Sequence, residues 1–190
     1  IGSIADDFMT LPEEVLITSM RIHQKYFATR YSKGAYKGQI APYFITIANR
    51  KSTPETDALI QKGNERVLRA RLADAAFFYA QDKAKPLEAY LPSLDNVTFY
   101  EGLGSVGDKV KRMTALAGEI ASYIDGADSA IAKEAALLAK ADLVTDMVGE
   151  FPELQGLMGG YYAAHHGASD EVVAAIADHY KPAGPSDNVP

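Results

Sequence analysis

The segment Gly63–Phe78, which reads GNERVLRARLADAAFF, decides most of what the sequence says about the fold. Its apolar residues recur three and four positions apart, as one face of an α-helix requires. They are Val67, Leu68, Leu72, Ala75 and Ala76. Arg66, Arg69 and Arg71 alternate with them, and guanidinium groups suit phosphate or carboxylate partners. The segment predicts an amphipathic helix that either presents a basic cluster or forms internal ion pairs, such as Glu65 with Arg69.

The distribution of charge extends this basic feature beyond the helix. The chain has 190 residues and a net charge of −6, but residues 21–71 contain eleven Lys/Arg and three Asp/Glu. A net charge of +8 beside an acidic remainder indicates a polyanionic partner. Solvated surface lysine is the alternative interpretation.

The N-terminal fifty residues predict a helix followed by extended segments. Pro12 and the acids after it favour a helix that runs to about Phe27. Turn residues over 31–38 then separate two extended segments, the second at Tyr43–Ala48. So few strands do not form a stable sheet alone. We therefore interpret residues 1–52 as the trailing helix and strands of an α+β domain that begins upstream.

Helical patterns dominate from Pro54 onward. We expect helices near 55–62, 64–82, 84–91, 105–124, 129–149, 152–166 and 169–180. Ser105, Ser129 and Asp170 occupy predicted capping positions. The apolar piece Val97–Tyr100 is interpreted as an extended connector that packs Phe99 against the helices.

Composition excludes several classes of protein. With 47% apolar and 23% charged residues, the chain can form an ordinary buried core. The absence of cysteine excludes disulfide scaffolds, thiolate metal sites and cysteine nucleophiles. No apolar run approaches membrane-spanning length, so we expect no membrane association and a cytoplasmic location.

Histidines and carboxylates near the C-terminal end raise the question of a metal site. His165 and His166 lie one predicted helix away from Asp142, and such groups are common metal ligands. Adjacent helical residues point about 100° apart, however, so these two histidines do not readily share an ion. Helix capping before Gly167 is the alternative. The chain has no Walker-type phosphate loop, and Gly102–Gly107 is a weak dinucleotide fingerprint.

Four blocks of sequence carry a family resemblance. They are Leu11–Leu16 with His23–Phe27 (LPEEVL and HQKYF), Pro42–Asn49 (PYFITIAN), the Gly63–Phe78 segment, and Lys140–Gly156 (KADLVTDMVGEFPELQG). In this order they strongly resemble the β subunit of bacterial heterotetrameric glycyl-tRNA synthetase. The resemblance implies an internal piece of a longer chain. It also implies an α₂β₂ enzyme that joins glycine to its tRNA with ATP and Mg, in which the α subunit activates glycine and the β subunit binds tRNA.

A second resemblance concerns the fold of the helical part. The run Ala135–Leu138 looks like the core helix of the HD phosphohydrolase superfamily, in which a His-Asp pair that binds metal follows. Here Ala139 and Lys140 stand in the place of that pair. The predicted fold class is therefore mainly α: an HD-domain-like multi-helix bundle over 53–190, without hydrolase chemistry, preceded by the α+β remnant.

The predicted site is an RNA contact surface. Its residues are Arg21, Lys25, Arg66, Arg69 and Arg71, because cations position an RNA backbone without reading its sequence. We predict no catalytic residue, no metal and no cofactor in this chain, with ATP and Mg used by the whole enzyme. The α subunit and glycine tRNA are the predicted partners. The alternatives are an HD-type phosphohydrolase that uses His165 or His166 with Asp142, and a structural interaction module indifferent to tRNA.

Overall fold

The computed structural model describes all residues from 1 to 190, and helices dominate it. The prediction of a mainly α protein is confirmed. The first elements are β1 Gly2–Ser3, a 3₁₀ helix at Asp6–Thr10, α1 Glu13–Thr18, a π-helical turn at Ser19–His23, β2 Phe27–Arg30, β3 Ile40–Ile45 and α2 Pro54–Lys83. A 3₁₀ helix at Leu87–Asn96, β4 Thr98–Tyr100, β5 Gly104–Ser105, α3 Val106–Ala121 and α4 Ser129–Leu138 follow. The last elements are a 3₁₀ helix at Ala141–Val144, α5 Asp146–Glu150, a 3₁₀ helix at Pro152–Leu154, α6 Leu157–His165 and α7 Asp170–Asp178.

The chain divides into two compact units, Ile1–Tyr79 and Ala80–Pro190. The division falls inside α2, whereas the sequence placed a boundary near residue 52. Hydrogen bonds explain why most of α2 belongs with the N-terminal strands: the Tyr26 hydroxyl donates to Asn64 Oδ1 at 2.8 Å, and the Ser3 amide donates to Glu65 Oε1 at 2.8 Å. The HD-like character of the helical part stays a prediction.

The first unit contains a three-stranded antiparallel sheet in the order β1-β3-β2. The two extended segments expected from the sequence form β2 and β3, and β1 adds a strand. Phe44 is fully buried on one face of the sheet and stacks on Tyr26 with ring centroids 4.8 Å apart. Gly2 lies opposite Phe44, and a Cβ atom there would collide with the phenyl ring. This strand position therefore requires glycine.

Two helices of the first unit differ from their predicted bounds. The expected break at Gly63 is absent, because one glycine inside a long helix costs only about 1 kcal/mol relative to alanine. The expected helix to Phe27 instead ends at Thr18 and continues as the π-helical turn. Lys25 then adopts a left-handed conformation with φ of 58°, which reverses the chain into β2.

In the second unit, the helix predicted over 129–149 is broken into α4, a 3₁₀ turn and α5. The cause is Asp142, whose carboxylate accepts the backbone N–H groups of Gly156 and Gly159 at 2.6 and 2.9 Å. These bonds cap the start of α6 from a distant position, and the turn at Ala141–Val144 places the carboxylate there.

Helix caps in the second unit confirm one prediction and correct two. Ser105 caps α3 in a reciprocal capping box with Asp108. The caps of α4 and α7 are Asp128 and Ser169, each one residue before the predicted Ser129 and Asp170. Ser129 instead donates its hydroxyl to the carbonyl oxygen of Gly118.

The piece Val97–Tyr100 is not a connector as predicted. Residues 98–100 form β4, which pairs with β5 in a two-stranded hairpin. Gly102 and Gly104 have φ of 81° and 84°, so they allow the tight turn that leads into α3. Phe99 remains 39% exposed rather than packed into the helices.

The other predicted helices shift or shorten. The helix predicted over 84–91 is the 3₁₀ helix at Leu87–Asn96, and that predicted over 152–166 is a 3₁₀ turn followed by α6. The helices predicted over 105–124 and 169–180 correspond to α3 and α7. No helix combines the length and the apolar character that crossing a membrane requires.

Candidate nucleic-acid interface

Four of the five predicted RNA contacts are exposed, and all five lie in the first unit. Arg21 belongs to the π-helical turn, and Lys25 follows it directly before β2. Arg66 and Arg69 lie three residues apart on α2, so their side chains project from the same side of that helix.

Hydrogen bonds connect the two elements that carry these cations. The Tyr26 hydroxyl bonds to Asn64, and Arg71 Nη2 lies 2.8 Å from His23 Nδ1. The turn at residues 21–26 is therefore adjacent to residues 64–71 of α2. The structure brings the predicted contacts into one region of the first unit.

Arg71 differs from the other four because its side chain is half-buried and bonds to His23. Residues two positions apart on an α-helix differ in direction by about 200°, which is about 160° measured the shorter way round. Arg71 therefore projects away from Arg69. It lies between Leu68 and Leu72, which are both 1% exposed. Arg71 thus contributes to the packing of α2 against the π-helical turn, and the three arginines do not form a single cluster.

The predicted pairing of Glu65 with Arg69 is only a weak electrostatic one. Glu65 accepts hydrogen bonds from the side chain of Gln61 and from the backbone N–H and hydroxyl of Ser3. The bond from Gln61, followed by those from Ser3, lowers the pKa of Glu65, and the charge of Arg69 contributes least. The Arg69 guanidinium remains exposed and accessible to another anion.

A stronger basic feature contains two of the predicted contacts, Arg21 and Lys25. The forty residues from Val15 to Pro54 contain seven Lys/Arg and no Asp or Glu. The charge count over residues 21–71 hides this acid-free stretch, because that window includes Glu55, Asp57 and Glu65. The absence of Asp and Glu between Val15 and Pro54 can be read directly from the sequence. Glu13 neutralises one of the seven cations, because its carboxylate bonds to the Arg30 guanidinium and raises the pKa of that group.

The residues of the alternative hydrolase site do not come together. Asp142 is buried at the start of α6, whereas His165 and His166 are exposed at its end, and the helix rises by roughly 12 Å between its first and last residues at 1.5 Å per residue. His166 Nε2 lies 3.0 Å from the carbonyl oxygen of Lys83. Across residues 1–190, no group of three or more His, Asp or Glu side chains could hold a metal ion. The predicted combination of Asp142 with either histidine is wrong.

Asp142 instead belongs to a buried polar cluster that the sequence did not reveal. Lys140 Nζ lies 2.7 Å from His179 Nε2 and 3.8 Å from the centroid of the Tyr180 ring. Burial lowers the pKa of Lys140 to about 8 and raises that of Asp142 to about 6. His179 Nδ1 donates to the carbonyl oxygen of Ile176, and burial lowers the pKa of this imidazole. The cluster fixes the end of α7 beside the 3₁₀ turn.

A second buried carboxylate, Asp82, also has a structural role. It is 2% exposed and accepts hydrogen bonds from the backbone N–H groups of Asp146 and Met147 and from the Tyr162 hydroxyl, at 3.1, 2.9 and 3.0 Å. Asp82 therefore caps α5, as Asp142 caps α6. Both oxygens of Asp82 and one oxygen of Asp142 accept hydrogen bonds from the backbone at helix termini.

Comparisons with known proteins identify the family of this chain. The family model described as glycyl-tRNA synthetase beta subunit matches residues 1–190. The glycine–tRNA ligase beta subunit of Phenylobacterium zucineum (strain HLK1) is 50% identical over 192 residues, which covers 100% of this chain and 28% of that protein. The proteins of the same name from Rickettsia felis and Trichodesmium erythraeum are also 50% identical, over 100% of this chain and 27% of each relative. The chain thus spans little more than a quarter of the length of these relatives.

Proposed function

This chain belongs to the glycyl-tRNA synthetase β-subunit family, and from that premise we propose that it serves in the β subunit of a glycine–tRNA ligase. In this role the chain binds the phosphates of the tRNA backbone. It also contributes scaffolding for the ATP-dependent attachment of glycine. Its partners are the α subunit, in an α₂β₂ assembly, and glycine tRNA. The place of action is the cytoplasm.

One observation carries the proposal: three relatives that bear this name are each 50% identical to the chain over its full length. The role in tRNA binding has independent support from charge. Arg21 and Lys25 are exposed within the acid-free stretch from Val15 to Pro54, and Arg66 and Arg69 are exposed on the part of α2 that adjoins Tyr26. Cations in such surroundings attract a polyanion and contact its phosphates.

We assign no catalytic role to residues of this chain. The buried carboxylates Asp82 and Asp142 accept hydrogen bonds from helix termini, so they are not available as general acids or bases. Across residues 1–190 no group of three or more His, Asp or Glu side chains could hold a metal ion, and the sequence has no Walker-type phosphate loop. Our proposal places the use of ATP and Mg in the whole enzyme and not in this chain.

The test compares salt-dependent tRNA binding by the complete enzyme and by variants of its β chain. Arg66→Gln and Arg69→Gln together are expected to weaken binding and to reduce the slope of log affinity against log salt by roughly one per lost contact. Lys111→Gln is the matched control, because Lys111 lies in the acidic second unit beside Asp95 and Asp108. Unchanged affinity and slope in the double variant would favour the structural interaction module.

A separate assay addresses catalysis. Pyrophosphate exchange with glycine and ATP is expected from the α and β subunits together and not from the isolated, nuclease-treated 190-residue chain. Activity of the isolated chain would overturn the assignment of a binding and scaffolding role.

A further inference from the structure

The sheet of the first unit has one buried face and one exposed aromatic face. Phe44 of β3 is fully buried, whereas its neighbours Tyr43 and Ile45 are 50% and 41% exposed. Side chains alternate between the faces of a strand, so Tyr43 and Ile45 share the outer face. Phe27 of β2 lies directly opposite Ile45 and is 57% exposed. Thr29 donates its hydroxyl to the carbonyl oxygen of Tyr43, which holds the two strands together beside these rings.

The connection between β2 and β3 combines aromatic rings with lysines. Tyr31 and Tyr36 face each other with ring centroids 5.7 Å apart, and Lys33 and Lys37 are exposed between and after them. Lys25 is exposed two residues before Phe27. Aromatic rings that alternate with cations are typical of surfaces that bind single-stranded nucleic acid.

The charge of this region selects the kind of partner. The aromatic face and its hairpin lie within the stretch from Val15 to Pro54, which contains no acid, but Glu13 pairs with Arg30 of β2 and, with Asp6, lines a pocket beside Tyr31 and Tyr36. Lys25, Lys33 and Lys37 are exposed, and the stretch supplies no acid to neutralise them. A partner of this surface therefore has to be apolar where it meets the rings and negatively charged where it meets the lysines. Unpaired nucleotides satisfy both requirements at once, because each base has an apolar π face and each phosphate carries a negative charge.

We propose that the outer face of β2 and β3 stacks unpaired bases of an RNA on Phe27 and Tyr43, while Lys33 and Lys37 contact the adjoining phosphates. The inference rests on the proposed function, since it adds base stacking to the phosphate contacts of Arg66 and Arg69. It adds a way to recognise unpaired bases in single-stranded RNA. The cations on α2 contact only phosphates and do not stack on bases.

The test separates stacking from hydrophobic packing and from charge. Phe27→Leu and Tyr43→Leu keep an apolar side chain but remove the ring, so in the complete enzyme they are expected to weaken tRNA binding roughly five- to a hundredfold. The salt slope is expected to stay unchanged, because no phosphate contact is lost. Lys33→Gln with Lys37→Gln is expected to reduce that slope by up to roughly two. Phe27→Tyr and Tyr43→Phe keep the rings and are expected to retain affinity.

The matched control is Phe77→Leu on α2, because Phe77 is 57% exposed like Phe27 but lies outside the sheet. It is expected to leave tRNA affinity unchanged. An equal loss in this control would show that the aromatic sheet face is not specific.

Other outcomes would also overturn the inference. Full affinity in both leucine variants, with loss of binding only in the Arg66 and Arg69 double variant, would refute base stacking and leave the proposed function intact. Full affinity in every variant would refute both. Loss of the α subunit, rather than of tRNA, from the leucine variants would identify a protein partner on this face.

A measurement on the unaltered enzyme removes any dependence on the folding of variants. Ultraviolet irradiation of the complex with tRNA is expected to cross-link peptides that contain Phe27 or Tyr43 to unpaired bases. Cross-links confined to other peptides would contradict the proposal.

Discussion

The substitution Asp142→Asn tests whether a buried charge opposes the stability of the second unit. Asp142 is fully buried, and one oxygen of its carboxylate accepts two backbone N–H groups of α6 while the other has no hydrogen-bond partner. Asparagine has the same shape and can still accept both bonds through its amide oxygen, but it carries no charge. The variant therefore isolates the effect of ionisation.

The sign and size of the effect follow from the pKa. Burial raises the pKa of Asp142 from 3.8 to about 6, so the folded chain binds this proton more tightly than the unfolded chain does. The resulting stabilisation is present below about pH 4 and is lost as the pH rises through about 6. A difference of about two pKa units corresponds to about 3 kcal/mol. The free energy of unfolding of the asparagine variant, relative to the parent, is expected to increase by about that amount between pH 4 and 7.

Urea denaturation monitored by circular dichroism, repeated every half pH unit, measures this difference. Groups that titrate equally in both proteins, such as His179, cancel when the two curves are subtracted. Two parallel curves, with the same offset at pH 4 and at pH 7, would refute the reasoning. They would show that the carboxylate is solvated or fully compensated by Lys140 in the folded chain.

Three further predictions concern the remaining polar contacts. Tyr162→Phe removes the hydroxyl that donates to Asp82, so it is expected to lower the free energy of unfolding by about 1–2 kcal/mol in urea titrations. The control Tyr123→Phe alters a side chain that is 79% exposed and is expected to change the free energy of unfolding little. Arg71→Gln is expected to destabilise the chain by about 1 kcal/mol, because it removes the hydrogen bond to His23. The slope of log tRNA affinity against log salt is expected to stay constant. A reduced slope would contradict the structural role of Arg71. His165→Ala with His166→Ala is expected to leave the divalent metal content of the purified chain unchanged in elemental analysis, because both histidines lie at the opposite end of α6 from Asp142. Loss of one equivalent of metal would contradict this.

The sequence predicts those features of the fold that depend on neighbouring residues. Helical periodicity identifies α2, and the combination of Gly104, Ser105 and Asp108 identifies the turn and cap that begin α3. Turn residues between apolar segments likewise identify the hairpin of β2 and β3. In each case the interacting groups are at most a few residues apart, so the pattern itself contains the interaction.

The remaining features depend on residues far apart in the chain. Asp82 caps a helix that begins 64 residues later, and Asp142 caps one that begins 15 residues later. Nothing in the local pattern of either aspartate distinguishes a remote cap from a surface acid or a metal ligand. Arg71 is a mixed case: its offset of two residues already directs it away from Arg69, whereas its contact with His23 depends on residues 48 positions apart. The RNA contact surface therefore stays a prediction, and the sequence alone did not show that Arg71 is half-buried beside His23.

The two units carry opposite charges, and this difference restricts where RNA can bind. Residues 1–79 contain eleven Lys/Arg and eight Asp/Glu, whereas residues 80–190 contain eight and seventeen. The net charges are therefore +3 and −9. An approaching phosphate backbone is attracted to the first unit and repelled by the second, and this repulsion is itself a source of specificity. The buried carboxylates Asp82 and Asp142 stabilise the acidic helical unit, and on the proposed function we expect RNA to contact the hairpin of β2 and β3 and the adjoining turns of α2.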